Sequence, residues 1–190
     1  MAEVNEEIVR RFFELSGFLV RANFGFKLPK KGSPDSDIDL LIYHPKHEHT
    51  PPGKVILEDA KDLVGIKCAA VEIKGWHENT FTIGLIKQNN FNFTGKPATE
   101  AVHEAFGEEP FAKILVVSEF SKVPKNRGLA ADMLKKDKGV DHVIEFPTIL
   151  QHIANEVKSN KNYRESEVLQ VVRLLKRYKM LSEKLLGKDK

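Results

Sequence analysis

Cysteine is nearly absent from this chain. Cys68 is the only one in 190 residues, which excludes a disulfide framework and any zinc site built on thiolates. Long apolar runs are missing too. None approaches the roughly 20 residues that a membrane helix needs, so no membrane partner is expected. The opening stretch, Met1 to Glu7, is acidic and resembles neither a secretory leader nor an Arg-rich transit peptide, and a cytoplasmic protein follows as the expectation. Internal repeats and low-complexity linkers are likewise not found. A strong charge of one sign is lacking, since the net charge is only +3. Its distribution is uneven, however. From Lys158 to Lys190 there are ten lysines and arginines against four acidic residues, a net +6 that leaves −3 for the rest. A basic C-terminal face could meet phosphates, or could simply be a solvated helix face. What remains, with 41% hydrophobic residues, is the composition of a globular chain long enough to bury a core.

The hydrophobic spacing gives an order of elements. Ile8, Val9, Phe12, Phe13 and Leu15 recur at helical spacing, and Ser16-Gly17 ends that helix. Phe18 to Phe26 alternates as a strand, with Phe18, Val20, Ala22 and Phe24 on one face. Pro29, Gly32 and Pro34 make Lys27 to Asp37 a loop. Ile38 to Tyr43 is a short apolar run suited to a buried strand. The polar, Pro-rich stretch from His44 to Lys54 reads as a mobile loop. Val55 to Leu63 is ambiguous, Ile66 to Ile73 is a strand, and Thr80 to Gly95 gives no clear pattern. Pro97 to Phe106 is helical, opening on proline and closing at Gly107. Ala112 to Ser118 is a buried strand, followed by a helix over Arg127 to Lys136, a strand over His142 to Phe146, a helix over Pro147 to Val157 and a long final helix over Arg164 to Leu186. Three early strands, then alternating helix and strand, imply an α/β fold with a mixed central β-sheet flanked by helices.

Two segments carry the chemistry. In Asp37-Ile38-Asp39-Leu40-Leu41-Ile42 a carboxylate stands at the mouth of a strand that enters the core, where a charge is costly unless paired or bound to metal. In Val71-Glu72-Ile73-Lys74-Gly75-Trp76 a spacing of two puts Glu72 and Lys74 on the same side of a strand. If the strands are neighbours, Asp39, Glu72 and Lys74 converge. Two carboxylates suit Mg²⁺ or Mn²⁺ through hard oxygen ligands, with the Ile73 carbonyl completing the set. Lys74 could orient a water and offset charge developing on a phosphate. Glu-x-Lys alone is weak, and recurs as Glu156-Val157-Lys158 in a predicted helix. An ion pair of Glu72 and Lys74 on a solvent-facing sheet edge is the bland reading.

"SDIDLLIY" and "VEIKGW" resemble the paired motifs of the PD-(D/E)xK nuclease superfamily, the restriction-endonuclease-like enzymes. "NEEIVRRFFELSGFLVRANFGF" is similar to the opening helix and strand of archaeal Holliday-junction resolvases and Mrr-like members, and "AKILVVSEF" to the family's fourth core strand. The resemblance covers roughly residues 6 to 120. It implies a metal-dependent endonuclease acting on nucleic acid, in the first place DNA, with a restriction-endonuclease-like domain over 1–160. Residues 161–190 would be a basic amphipathic helix packed on that domain. It implies Asp39 and Glu72 as metal ligands, Lys74 as the residue that positions water, and a helical glutamate joining the metal site, which falls on Glu6 with Glu7 as its neighbour. The gap from Asp39 to Glu72 is longer than the family's hairpin, so His44 to Lys67 is expected to be an insertion over the active site. The pair Pro34-Asp35 precedes Asp39 by four residues, and Asp35 is left outside the metal shell.

A second resemblance runs through "FGFKLPKKGSPDSDIDLLI", which is similar to the minimal nucleotidyltransferase signature. There Asp37 and Asp39 would bind metals, with Glu72 as third carboxylate. That reading departs from the pattern at Phe26 and gives Lys74 no role. A catalytically inactive nucleic-acid-binding member of the nuclease fold is the non-enzymatic alternative. Trp76 and His77 are expected to line the cleft, and Trp76 could stack on a base. Lys87 or Gln88 would approach the site if Thr82 to Asn89 is helical. Val168, Val171, Val172, Leu175, Tyr178 and Leu185 form an apolar stripe that packs on the parent domain or forms a homodimer interface. Arg173, Lys176 and Arg177, with Lys161, Arg164 and Lys179, would line a nucleic-acid path. His44, His47 and His49 are read as solvated loop histidines rather than a zinc site.

Overall fold

The structure, a computed structural model, describes residues 2–28 and 35–181. It opens with helix α1 (Ala2–Leu15). Val9, Phe12 and Phe13, at helical spacing, form its buried stripe and contribute about 1.5–3 kcal/mol each by leaving water. Gly17 ends the helix at φ +91°, a left-handed conformation that glycine tolerates best. Strands β1 (Leu19–Phe26) and β2 (Ser36–Tyr43) follow. Next come the two-residue strand β3 (Ile56–Leu57), a 3₁₀ turn over Ala60–Gly65, and β4 (Cys68–Lys74). Helices α2 (Ile83–Gln88) and α3 (Lys96–Phe106) are separated by a 3₁₀ turn at Asn92–Thr94. The chain closes with β5 (Ala112–Val117), α4 (Pro124–Lys138), β6 (His142–Glu145), α5 (Phe146–Glu156) and α6 (Glu167–Arg177).

These strands make one six-stranded sheet in the order β1-β2-β4-β5-β6-β3. The first two pairings are antiparallel and the rest parallel. The sheet is therefore mixed, as expected. Residues of α1, α5 and α6 build the core on one face, and residues of α2, α3 and α4 build it on the other. Covering both faces explains why Cys68 to Val71 and Ile114 to Val117 are buried without interruption. Among the described residues no helix is long and apolar enough to cross a membrane.

Three expectations need correction. The stretch from His44 to Lys67 does not lie over the site. It crosses to the far edge of the sheet, where β3 pairs in parallel with β6. His44 and His47 are not free in solvent: their rings stack at 3.4 Å and both meet Phe18 edge-on. The final helix is shorter than its pattern predicts, because α6 starts at an N-cap, Ser166, and stops at Arg177, with Lys179 at φ +58°. Leu185 lies outside the described residues.

The faces of β1 also differ from simple alternation. Phe18 and Val20 pack in the α1-side core, whereas Phe24 and Phe26 pack in the opposite core. The cause is Asn23, which adopts φ +53° and turns the strand over. β2 reverses in step, with Ile38 in one core and Leu40 in the other. The β1–β2 ladder keeps its register through this point but skips the position at which Asn23 faces Asp39.

Candidate active site

Asp39 stands where the sheet opens on both sides. On its β1 side the Asn23 pairing is missing. On its β4 side the ladder ends at Leu40 opposite Val71, and one more step in that register would set Asp39 against Glu72. Instead the Asp39 carboxylate enters the gap and accepts a hydrogen bond at 2.6 Å from the Ile73 N–H. Lys74 Nζ lies 2.6 Å from Glu72 Oε1, and the two side chains are only 27% and 13% exposed. The bland reading of a solvent-facing ion pair is therefore set aside, because both groups are largely withdrawn from water. Among the described residues, no protein donor reaches the second oxygen of either carboxylate.

The electrostatics follow from this crowding. Burial pushes the Asp39 carboxyl up to about 7, and Glu72 beside it pushes the same way. The Ile73 N–H and Lys74 oppose the shift, and Glu6 adds to it. Burial also raises Glu72, against Lys74, with Asp37 as the further acid acting on it. That difference in neighbours reflects the two faces of the sheet. Val71 and Ile73 pack toward α1, so by alternation Glu72 and Lys74 face the α2–α3–α4 side. Glu6 rides on α1, across the sheet. The gap at Asp39 is where charges from both faces meet.

The donor set fits a hard divalent cation. Two carboxylates, of which only Glu72 has a cation partner, and the backbone carbonyl of Ile73 offer only oxygen, the ligand chemistry of Mg²⁺ and Mn²⁺, and a cation beside Asp39 would offset the Glu72 charge that adds to the effect of burial there. Among the described residues no three His, Cys, Asp or Glu side chains converge closely enough to form a complete cage, so water would have to fill the remaining positions. Mg²⁺ binding characteristically retains several waters.

The structure also locates the other predicted residues. Trp76 follows β4, 38% exposed, and its ring stacks on Phe81 at 6.0 Å. Thr82 caps the short helix α2, and Lys87 and Gln88 are exposed on it. α6 rests on the rest of the domain through Leu169 and Val172. Its cations divide. Lys176 donates to the carbonyls of Ala154 and Asn155 at 2.7 and 3.2 Å, so it caps α5 instead of facing a nucleic acid. Arg173 is partly buried with its Nε unbonded, and Arg177 is exposed. Gly32 and Ser33, the opening of the nucleotidyltransferase-like signature, lie outside the described residues.

Sequence reasoning did not find Asn5. Its amide donates to the Gly75 carbonyl at 3.1 Å, and its oxygen stands 3.1 Å from His77 Nε2. A Cβ at Gly75 would come within 2.6 Å of that amide nitrogen, so a larger residue there would make the Asn5 side chain shift. Asn23 was also overlooked. Asparagine is among the few non-glycine residues that visit the left-handed region, and that is the only signal the strand pattern carried. No protein-family model matches this chain, and no curated protein or solved structure does.

Proposed function

We propose that this protein is a Mg²⁺- or Mn²⁺-dependent nuclease of the restriction-endonuclease-like type that hydrolyses phosphodiester bonds in DNA. The observation that carries the reading is the Asp39 carboxylate bonded to the Ile73 N–H in an opened sheet, close enough to Glu72 to feel its charge, with Lys74 held against Glu72. Buried acids whose pKa is raised by burial and by a neighbouring acid, Glu72 for Asp39 and Asp37 for Glu72, are a mark of functional sites. Asp39, Glu72 and the Ile73 carbonyl would hold the metal, with Glu6 assisting through water. When bound, the metal polarises the scissile phosphate and acidifies a water.

The protein's own contribution is positional. The Ile73 N–H fixes one oxygen of Asp39. Glu72 is held in place by the β4 backbone and by Lys74. Lys74 would orient water and meet charge developing on the phosphate, and a cation held by Glu72 would leave its ammonium free for that role. Lys74 has no task in nucleotidyl transfer, which is why the nuclease reading ranks above a nucleotidyltransferase using Asp37 and Asp39. A member that binds nucleic acid without cutting would have no need for the Lys74–Glu72 arrangement.

The test is calorimetric titration of Mn²⁺ and then ATP into wild-type and Glu72→Ala protein, followed by incubation with labelled single-stranded, duplex and four-way-junction DNA. Metal binding that is lost in the variant, no ATP binding, and cleavage of any substrate support the nuclease. ATP binding without cleavage replaces it by the nucleotidyltransferase. Salt-dependent DNA binding with no metal-dependent product leaves the inactive binder.

A further inference from the structure

Beside Glu6 and Ile73 lies a cleft of about 470 Å³ between α1 and the segment that leaves β4, lined also by Asn5, Trp76, His77 and Glu78 among others. Its size is within the roughly 300–1,000 Å³ typical of small-ligand sites. Its walls are braced. Asn5 holds Gly75 and His77, His77 rests edge-on against Phe146 at 4.4 Å, and Trp76 is backed by Phe81 at an interplanar angle of 25°. A half-exposed indole supported from behind presents a flat apolar plate at little further cost in entropy.

Charge decides which part of a nucleotide can enter. The cleft carries Glu6 and Glu78, and no lysine or arginine lines it among the described residues. A phosphate would be repelled there. An uncharged base would not be, and its exocyclic amino group could donate to a carboxylate. Adenine, cytosine and guanine carry such a group, and thymine does not. The cleft shares Glu6 and Ile73 with the site described above, so its occupant would sit within about one nucleotide of Asp39.

We propose that this cleft is a base pocket, in which an unpaired nucleobase stacks on Trp76 while its phosphate stays outside the acidic lining, toward the metal that Asp39 and Glu72 would hold. The substrate is then a single strand, a flap or a branch with an unstacked base, not a fully paired duplex. This rests on the nuclease reading for its place in a reaction, but the binding itself can be measured without cleavage. Trp76 is the only tryptophan in the chain, so its fluorescence reports the pocket directly.

The experiment titrates hexadeoxyadenylate, hexathymidylate, an abasic hexamer and a blunt duplex into wild-type protein in EDTA, reading Trp76 emission and, with labelled strands, anisotropy. The adenylate hexamer should quench the emission and bind several-fold tighter than the thymidylate one. The abasic strand and the duplex should leave the emission unmoved. Trp76→Ala should weaken adenylate binding about tenfold, the scale of losing one base stack, and Trp76→Phe should recover most of it. Equal quenching by the abasic strand, no quenching by any strand, or unchanged affinity in a folded Trp76→Ala protein would overturn the proposal. Quenching without cleavage of any substrate under Mn²⁺ would keep the pocket and remove the nuclease. Cleavage with Trp76 silent would do the reverse.

Discussion

Two acids sit at strand ends in this sheet with nearly equal burial, and the protein treats them in opposite ways. Glu145 ends β6 and Glu72 lies near the end of β4, with side chains 11% and 13% exposed. Glu145 is fully answered. The Phe120 N–H donates to one oxygen at 2.7 Å, and Arg127 pairs with the other while lying over the Phe120 ring. Glu72 has Lys74 alone, and faces Asp39, which has one N–H and no cation of its own. A buried charge that is paired and hydrogen-bonded closes a structure, whereas one left short of positive charge is costly. Asp39, the acid with no cation of its own, is where the proposed metal would supply one.

The contrast can be broken by mutation. The largest effect expected is on cleavage. Glu72→Ala or Lys74→Ala should lower it by at least about 10²-fold, the scale of removing one preorganised charge, in protein that still folds. Retained cleavage in a purified Lys74→Ala protein would count against the mechanism. Arg127→Ala should behave in the opposite manner. It leaves Glu145 buried without its partner and should cost about 3 kcal/mol in urea unfolding. Cleavage per folded molecule should be unaffected, and Glu145→Gln in the same chain should restore part of the stability.

A third expectation concerns pH. The folded Asp39 carboxyl is raised to about 7, while an unfolded aspartate titrates near 4, about its ordinary value. As pH falls through 7 the folded state takes up the proton first. The stability linked to this group is thus fully present below the unfolded value and is lost as pH rises through about 7. Metal-free protein should melt higher at pH 6 than at pH 8, and Asp39→Asn should flatten that slope. Mn²⁺ should stabilise the wild type more at pH 8 than at pH 6. A smaller effect is expected at Asn23. Asn23→Gly should be tolerated within a few tenths of a kcal/mol, whereas Asn23→Val should cost about 1–2 kcal/mol by chemical denaturation, because a branched side chain resists the left-handed region.

Much of the fold was legible because long elements have strong periods. β4, β5 and α5 follow their hydrophobic spacing to within a residue or two, and α1 ends where its spacing predicts but begins four residues before Glu6, where the pattern starts. Asp39, Glu72 and Lys74 could be grouped because the two strands bearing them pair as neighbours. What failed had local causes with weak signals. β3 has two residues, too short for any period. The face change in β1 hangs on one backbone angle at Asn23, which alternation cannot register. The end of α6 carries no proline or glycine to mark it before Gly187, and Lys176 reads as a surface cation although its ammonium closes the end of α5. Asn5 could not be found from spacing, because its partners lie 70 and 72 residues away.

The kink at Asn23 has a consequence for solubility. β1 is an edge strand, and Leu19 is 64% exposed on it. A flat edge of this kind is a template on which another molecule can add a strand, and irregular backbone is one of the devices that prevent it. The left-handed residue in mid-strand breaks the row of outward N–H and C=O groups into two short pieces, neither long enough to seed a growing stack. Asn23 would then guard against self-association, and Asn23→Val should aggregate sooner than a control variant of equal stability in turbidity or thioflavin assays. Equal lag times would show that the edge is protected by something else.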